Sequence, residues 1–187
     1  MQEGSPYTLV VVDMQDRFCA SHDSEVRQGV RLLLTKAMQD EMPIIFLEFY
    51  RWGDTNSSLL EVTKNYRHVR RLLKDEDDGS YQVLNAGLIP LENFVLCGVN
   101  TPWCVYRTAY GLWKRQKNAQ LHMIDNACND AYDHEFGVAR FVALQQREPG
   151  RVHLKRITQQ PSWEEYQPKL NPTALDRAKN FREWRGG

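Results

Sequence analysis

Five short strand-like segments, spaced by segments of helical periodicity, constrain this chain more than any other feature. YTLVVVD (residues 7–13), PIIFLEF (43–49) and NFVLCGV (93–99) are nearly continuous in hydrophobicity, the pattern of strands buried on both faces. AQLHMID (119–125) and the more polar RVHLKRI (151–157) read as further strands. Residues 24–39 follow the first run, with Val26, Val30, Leu33, Leu34 and Ala37 at helical spacing and Ser24 in position to cap. CVYRTAYGLWKRQ (104–116) carries Val105, Ala109, Leu112 and Trp113 on one face, and residues 133–146 read as a further helix. Strands alternating with helices imply an α/β fold, a three-layer α/β/α arrangement around a mainly parallel, Rossmann-like sheet. A polar loop, YRWGDTNSS (50–58), follows the second run; the residues after it up to about 73 read as helical, 74–81 (KDEDDGSY) as a charged loop and 82–90 as a short helix or turn.

At 187 residues the chain is expected to form one domain over 1–187, with an aromatic-rich C-terminal extension from about residue 160 containing Trp163, Tyr166 and Trp184. That extension is expected to pack across the domain or onto a partner subunit. Basic and acidic residues balance at 24 each, so no net field argues for nucleic acid or a membrane surface. No apolar run approaches the roughly 20 residues of a membrane span, and MQEGSPY does not read as a signal peptide. Four cysteines (Cys19, Cys97, Cys104, Cys128) without a CxxC pair suit a reducing compartment, and a cytoplasmic location is expected.

Ligands of parallel sheets bind beyond the carboxyl ends of the strands. Asp13, Glu48, Asp125 and the turn before Cys104 all fall at such ends. Cys104 stands where a buried strand has just ended and a helix begins, so the helix N-terminus is expected to stabilise a thiolate and lower its pKa. The same N–H groups can hold an oxyanion. Cys97 reads as core, Cys19 as an inert loop thiol, and Cys128 has no assigned role.

Three motifs then line up in chain order: VVVDMQDRF around Asp13, Lys74 ahead of Gly79-Ser80-Tyr81, and GVNTPWCVYRTA around Cys104. The last fits a G-V-x-T-x-x-C-V-x-x-T-A pattern through Gly98, Thr101, Cys104, Val105, Thr108 and Ala109. Over residues 7–157 the chain resembles the isochorismatase-like cysteine hydrolases, among them nicotinamidases and N-carbamoylsarcosine amidohydrolase. The resemblance implies a catalytic triad of Cys104 as nucleophile, Asp13 as general base and acid, and Lys74 as polarising residue. It further implies a cis Val99–Asn100 peptide, with the Asn100 and Cys104 N–H groups as oxyanion hole. Opposed charges at Asp13 and Lys74 are expected to keep the acid ionised despite burial.

Phe18, Tyr50, Trp52, Tyr81 and Trp103 are candidate substrate-binding aromatics. Metal-dependent nicotinamidases carry Asp-x-His and a further nearby His after the second strand. FLEFYRWGDTNSS has no histidine there, so no metal and no cofactor is expected, and Arg51 and the aromatics take that region. Asp125 and His134 read as structural. Gly111, inside the helix after Cys104, points to close packing against a neighbouring helix or subunit. The expected activity is cleavage of a C–N bond in a small amide or carbamoyl substrate through a thioester on Cys104. The alternatives are enol-ether hydrolysis of the isochorismatase type, in which the cysteine is not the nucleophile, and a silent binding protein. A dimer or tetramer is the expected assembly.

Overall fold

The computed structural model describes residues 5–88, 92–159 and 162–181. Seven strands form one sheet: β1 (Thr8–Val12), β2 (Ile44–Phe49), β3 (Val69–Lys74), β4 (Asn93–Val99), β5 (Gln120–Asn129), β6 (Val152–Ile157) and β7 (Trp163–Glu165). Their spatial order is β3-β2-β1-β4-β5-β6-β7, parallel throughout except for the antiparallel β7. The helices are α1 (Ser24–Gln39), α2 (Ser57–Val62), α3 (Ser80–Leu84), α4 (Tyr106–Arg115), α5 (His134–Arg147) and α6 (Pro172–Asn180). β1 and β4 are buried along nearly their whole length because they lie at the centre of the sheet. The order reverses between them: the chain runs outward from β1 to β2 and β3, then returns to β4 on the other side. Such a switch point opens a crevice at the carboxyl ends of the two strands.

Several expectations are corrected. The cap of α1 is Asp23, not Ser24; its Oδ1 accepts from the N–H groups of Glu25 at 2.8 Å and Val26 at 3.1 Å. The stretch read as helical up to residue 73 is helical only in α2, and its second half is strand β3. β3 is an edge strand, and its side chains are mostly exposed or half-buried (VRRLLK), so it lacks the apolar run that marks a central strand. Lys74 therefore ends a strand and does not open a loop. β5 continues past residue 125 to Asn129, with a register irregularity against β4 between Leu96 and Gly98.

The described part of the C-terminal extension packs back on its own domain. Trp163 meets Tyr7 edge-on at 5.8 Å, and α6 lies on α5. Gln160 and Trp184 lie outside the described residues. Gly111 is explained within the chain, since a Cβ there would overlap Ser80 Oγ and Asp78 Oδ1. Its absence lets α4 close on the segment that follows Lys74.

Gly98 has a φ of +123°, and a Cβ on it would collide with the backbone carbonyl oxygen of Val12 in the adjacent β1. Neither the dihedral nor the approach admits a side chain. Gly98→Ala is expected to destabilise the fold by about 3 kcal/mol or more, read as a lowered urea midpoint.

Candidate active site

Asp13, Lys74 and Cys104 come from three separate elements and meet at the β1/β4 switch point. Asp13 follows β1 directly and is fully buried in a left-handed conformation (φ 56°). Asn100, directly after β4, is left-handed as well (φ 60°, ψ 51°). Asp and Asn are the side chains that tolerate this region best, and such backbone strain concentrates at functional sites. Lys74 reaches across the end of β2 from β3. Its Nζ donates to Asp13 Oδ2 at 3.1 Å and to the Glu76 carbonyl at 3.2 Å, and it lies 4.2 Å from the centre of the Phe49 ring.

Cys104 does not open the helix, as the sequence suggested. It lies in a π turn, Thr101–Val105, that precedes α4. Such wide turns are rare and occur mostly at functional sites. Asn100 anchors the turn, its carbonyl accepting from Trp103 N at 3.0 Å and Val105 N at 3.4 Å. The Asn100 side chain bridges the acid and the thiol: its Nδ2 lies 3.4 Å from Asp13 Oδ2 and 4.0 Å from Cys104 Sγ.

Electrostatics depart from expectation in two places. Burial pushes the Asp13 carboxyl above the usual carboxylate range, and Lys74, Cys104 and Asn100 pull it only part of the way back. The cation therefore moderates the desolvation of the acid without cancelling it. The Cys104 thiol is also raised, not lowered. Burial is the main cause, the Asp13 and Asp77 carboxylates add to it, and Lys74 opposes it. In the resting site burial and the facing carboxylates thus favour the protonated thiol. It lies within hydrogen-bonding reach of Asp13, whose Oδ1 accepts no geometrically complete hydrogen bond among the described residues.

A cavity of about 180 Å3 opens over the thiol, lined by Phe18, Phe49, Trp52, Asp77, Asn100, Trp103 and Cys104. Of the five aromatics singled out from sequence, Phe18, Trp52 and Trp103 line it. Tyr50 lies outside the lining under the Arg51 guanidinium, and Tyr81 is 67% exposed on α3. Sequence reasoning missed Phe49 and Asp77. The signal for Asp77 was the KDEDD run, read as solvated, in which two positions are tied to α4. Thr108 Oγ1 donates to the Asp77 carbonyl at 3.3 Å and accepts from Gly79 N at 3.0 Å. Arg115 clamps Asp78 at 2.8 Å and Ser80 Oγ at 2.7 Å.

Buried side chains around the site hold its walls in place. Gln15 donates to the Phe49 carbonyl at 3.0 Å and accepts from Phe49 N at 2.7 Å, which fixes the loop that carries Trp52. Arg140, buried on α5, donates to the Pro102 carbonyl two residues before the nucleophile. Its guanidinium stacks 3.8 Å from Tyr106 and 4.4 Å from Phe181. His134 links Thr101 Oγ1 (3.1 Å) to Asp125 (3.5 Å), which agrees with the structural role expected for His134 and Asp125.

After β2 the chain runs through Tyr50, Arg51 and Trp52 with no histidine, and Glu48 is occupied by Arg71 at 2.9 Å and Thr55 N at 2.8 Å. Among the described residues no group of three or more His, Cys, Asp or Glu is placed to hold a metal ion. No described helix is long and apolar enough to cross a membrane.

No protein-family model matches the chain, and no curated protein sequence does. Solved structures do. The MAR1 ribonuclease of Caenorhabditis elegans aligns with a TM-score of 0.66 at 22% identity, over 80% of this chain and 76% of its own. The nicotinamidase SaPncA of Staphylococcus aureus aligns at 0.62 and 18%, over 74% of this chain and 94% of its own. The N-carbamoylsarcosine amidase of Thermoplasma acidophilum aligns at 0.60 and 19%, over 81% and 96%. At such identities the likeness is one of architecture. The mainly parallel seven-stranded sheet of this chain, with its flanking helices, is the isochorismatase-like hydrolase fold.

Proposed function

We propose that this chain is a cysteine hydrolase that cleaves the C–N bond of a small amide or carbamoyl compound. The observation that carries the reading is the convergence of three strand ends: a buried Lys74–Asp13 pair at 3.1 Å with the Cys104 thiol beside it, facing a cavity. In the first half-reaction Cys104 Sγ attacks the substrate carbonyl carbon as its proton passes to Asp13. The backbone N–H groups of Asn100 and Cys104 are the proposed oxyanion donors. The tetrahedral intermediate then collapses, the C–N bond breaks, and Asp13 returns the proton to the leaving nitrogen. In the second half-reaction Asp13 takes a proton from water, whose oxygen attacks the thioester. The C–S bond breaks and the proton returns to sulfur. The raised pKa values of acid and thiol suit this exchange, because the proton moves between two groups that both resist charge in the dry site. A homo-oligomer in the cytoplasm is part of the same reading, with light scattering as the test of assembly.

Cys104→Ala is expected to abolish turnover of a small amide and carbamate library without loss of fold, and intact-mass spectrometry of the wild type is expected to trap an acylated Cys104. Activity that survives Cys104→Ala but is lost in Asp13→Ala would replace this reading with enol-ether hydrolysis. The pH dependence follows from the Asp13 shift. The base must be ionised to act and its pKa is raised, so activity falls as pH drops through a value above the ordinary carboxylate range. Lys74 is the cation that lowers that value, so Lys74→Met is expected to move the acid limb of kcat/KM to still higher pH. An unmoved limb would show that Asp13 is not the titrating base.

A further inference from the structure

The residues that line the cavity combine aromatic surface with a single charge. Phe18 and Trp52 stack at 4.6 Å with only 6° between their planes, and Phe49 meets Trp52 edge-on at 6.4 Å. Trp103 also lines the cavity, with the Arg107 guanidinium 5.5 Å from its ring centre. Among the described residues the one charged side chain in the lining is Asp77. Its Oδ1 accepts from the Cys104 thiol at 3.5 Å, and its Oδ2 lies 3.6 Å from Arg107 Nη1. Both partners of that ion pair are about a third exposed, so solvent screens it, and Arg107 itself is not part of the lining. Lys74 is also absent from the lining, closed off by Asp13, the Glu76 carbonyl and the Phe49 ring.

A carboxylate beside the nucleophile is unhelpful to thiol chemistry as the site stands. It repels the thiolate and contributes, after burial and Asp13, to the raised thiol pKa. That penalty is offset if the substrate brings a positive charge against Asp77. Aromatic faces favour the same charge, because the ring quadrupole attracts cations, most strongly in a desolvated site.

Building on the cysteine-hydrolase reading above, we propose that the substrate is a small amide or carbamoyl compound bearing an organic cation, of ammonium or amidinium type. The cation sits among Phe18, Trp52 and Trp103 against Asp77 Oδ1. Asp77 then acts as a selectivity element: it opposes ionisation of the thiol when the cavity is empty and ceases to oppose it when a cation arrives.

Binding is tested without catalysis by titrating tryptophan fluorescence with three probes of one shape, benzamidinium, benzamide and benzoate. The wild type is expected to bind benzamidinium about tenfold or more tightly than benzamide, with benzoate weakest. Asp77→Asn is expected to erase the difference between benzamidinium and benzamide, and to raise the rate at which iodoacetamide labels Cys104 in the free protein. Equal binding of benzamidinium and benzamide by the wild type, or tighter binding of benzoate, overturns the proposal with no variant needed. Discrimination that persists in a folded Asp77→Asn overturns the role of Asp77. The two readings separate cleanly. Selective cation binding without hydrolysis of any cationic amide would sink the cysteine-hydrolase reading and leave the cation site standing. Hydrolysis of neutral and cationic amides at equal kcat/KM would do the reverse.

Discussion

The buried ion pair between Lys74 and Asp13 is the constraint around which the rest of the molecule is arranged. Two charges withdrawn from water are tolerated only when their geometry is good and their remaining hydrogen-bonding capacity is met. Meeting those needs recruits structure from across the sheet. Lys74 must end β3, two strands away from β1, and its ammonium is satisfied by the Glu76 carbonyl and the face of Phe49. Asp13 needs a left-handed turn directly after β1 and a side-chain amide from Asn100, itself left-handed after β4. Even so, burial prevails over the pairing, and the acid stays reluctant to ionise. The fold holds its strained, poorly solvated polar groups where the three strands end, and central β1 and β4 are packed well enough to tolerate them.

Position alone would not make these groups a site. The loop after Lys74 is held to α4 by Thr108 and Arg115, and α4 comes close because Gly111 has no side chain. The loop after β2 is held by Gln15. Two walls of the cavity, the loops after Lys74 and after β2, are thus tied by hydrogen bonds to elements that follow Cys104 and Asp13. Loops positioned by a rigid scaffold are the usual carriers of function, and here the ties run between neighbouring motifs. Residues such as Thr108 and Gln15 belong to those motifs because they hold other motifs in place.

Much of this was legible in the sequence, for identifiable reasons. Central strands of a parallel sheet are buried on both sides, so residues 7–13 and 93–99 announce themselves as apolar runs, and Asp13 is conspicuous for ending the first and Cys104 for following the second. An edge strand gives no such signal. β3 alternates too weakly to be seen, and Lys74 could be placed only by its resemblance to a family pattern. Asp77 was hidden by its neighbours, since four acids in a row read as surface and two of them, Asp75 and Glu76, are exposed. Arg140 was hidden by its type. A buried arginine is rare, and only the assembled cage of Tyr106 and Phe181 shows why one is kept. The thiol pKa was misjudged because a helix terminus is visible in sequence, whereas the depth of a side chain and a facing carboxylate are not.

The cage around Arg140 also bears on when the molecule becomes competent. The turn that carries Cys104 is held by a guanidinium from α5 through the Pro102 carbonyl, and Trp103 beside it meets Phe181 at the end of α6 at 6.1 Å. Both braces lie C-terminal to the nucleophile, one of them near the end of the described chain. A ribosome delivers the chain from its N-terminus, so Asp13, Lys74 and Cys104 are all synthesised before the residues that fix the turn. The support that α5 and Phe181 lend to the turn is therefore added late in synthesis, to a turn that Asn100 already anchors.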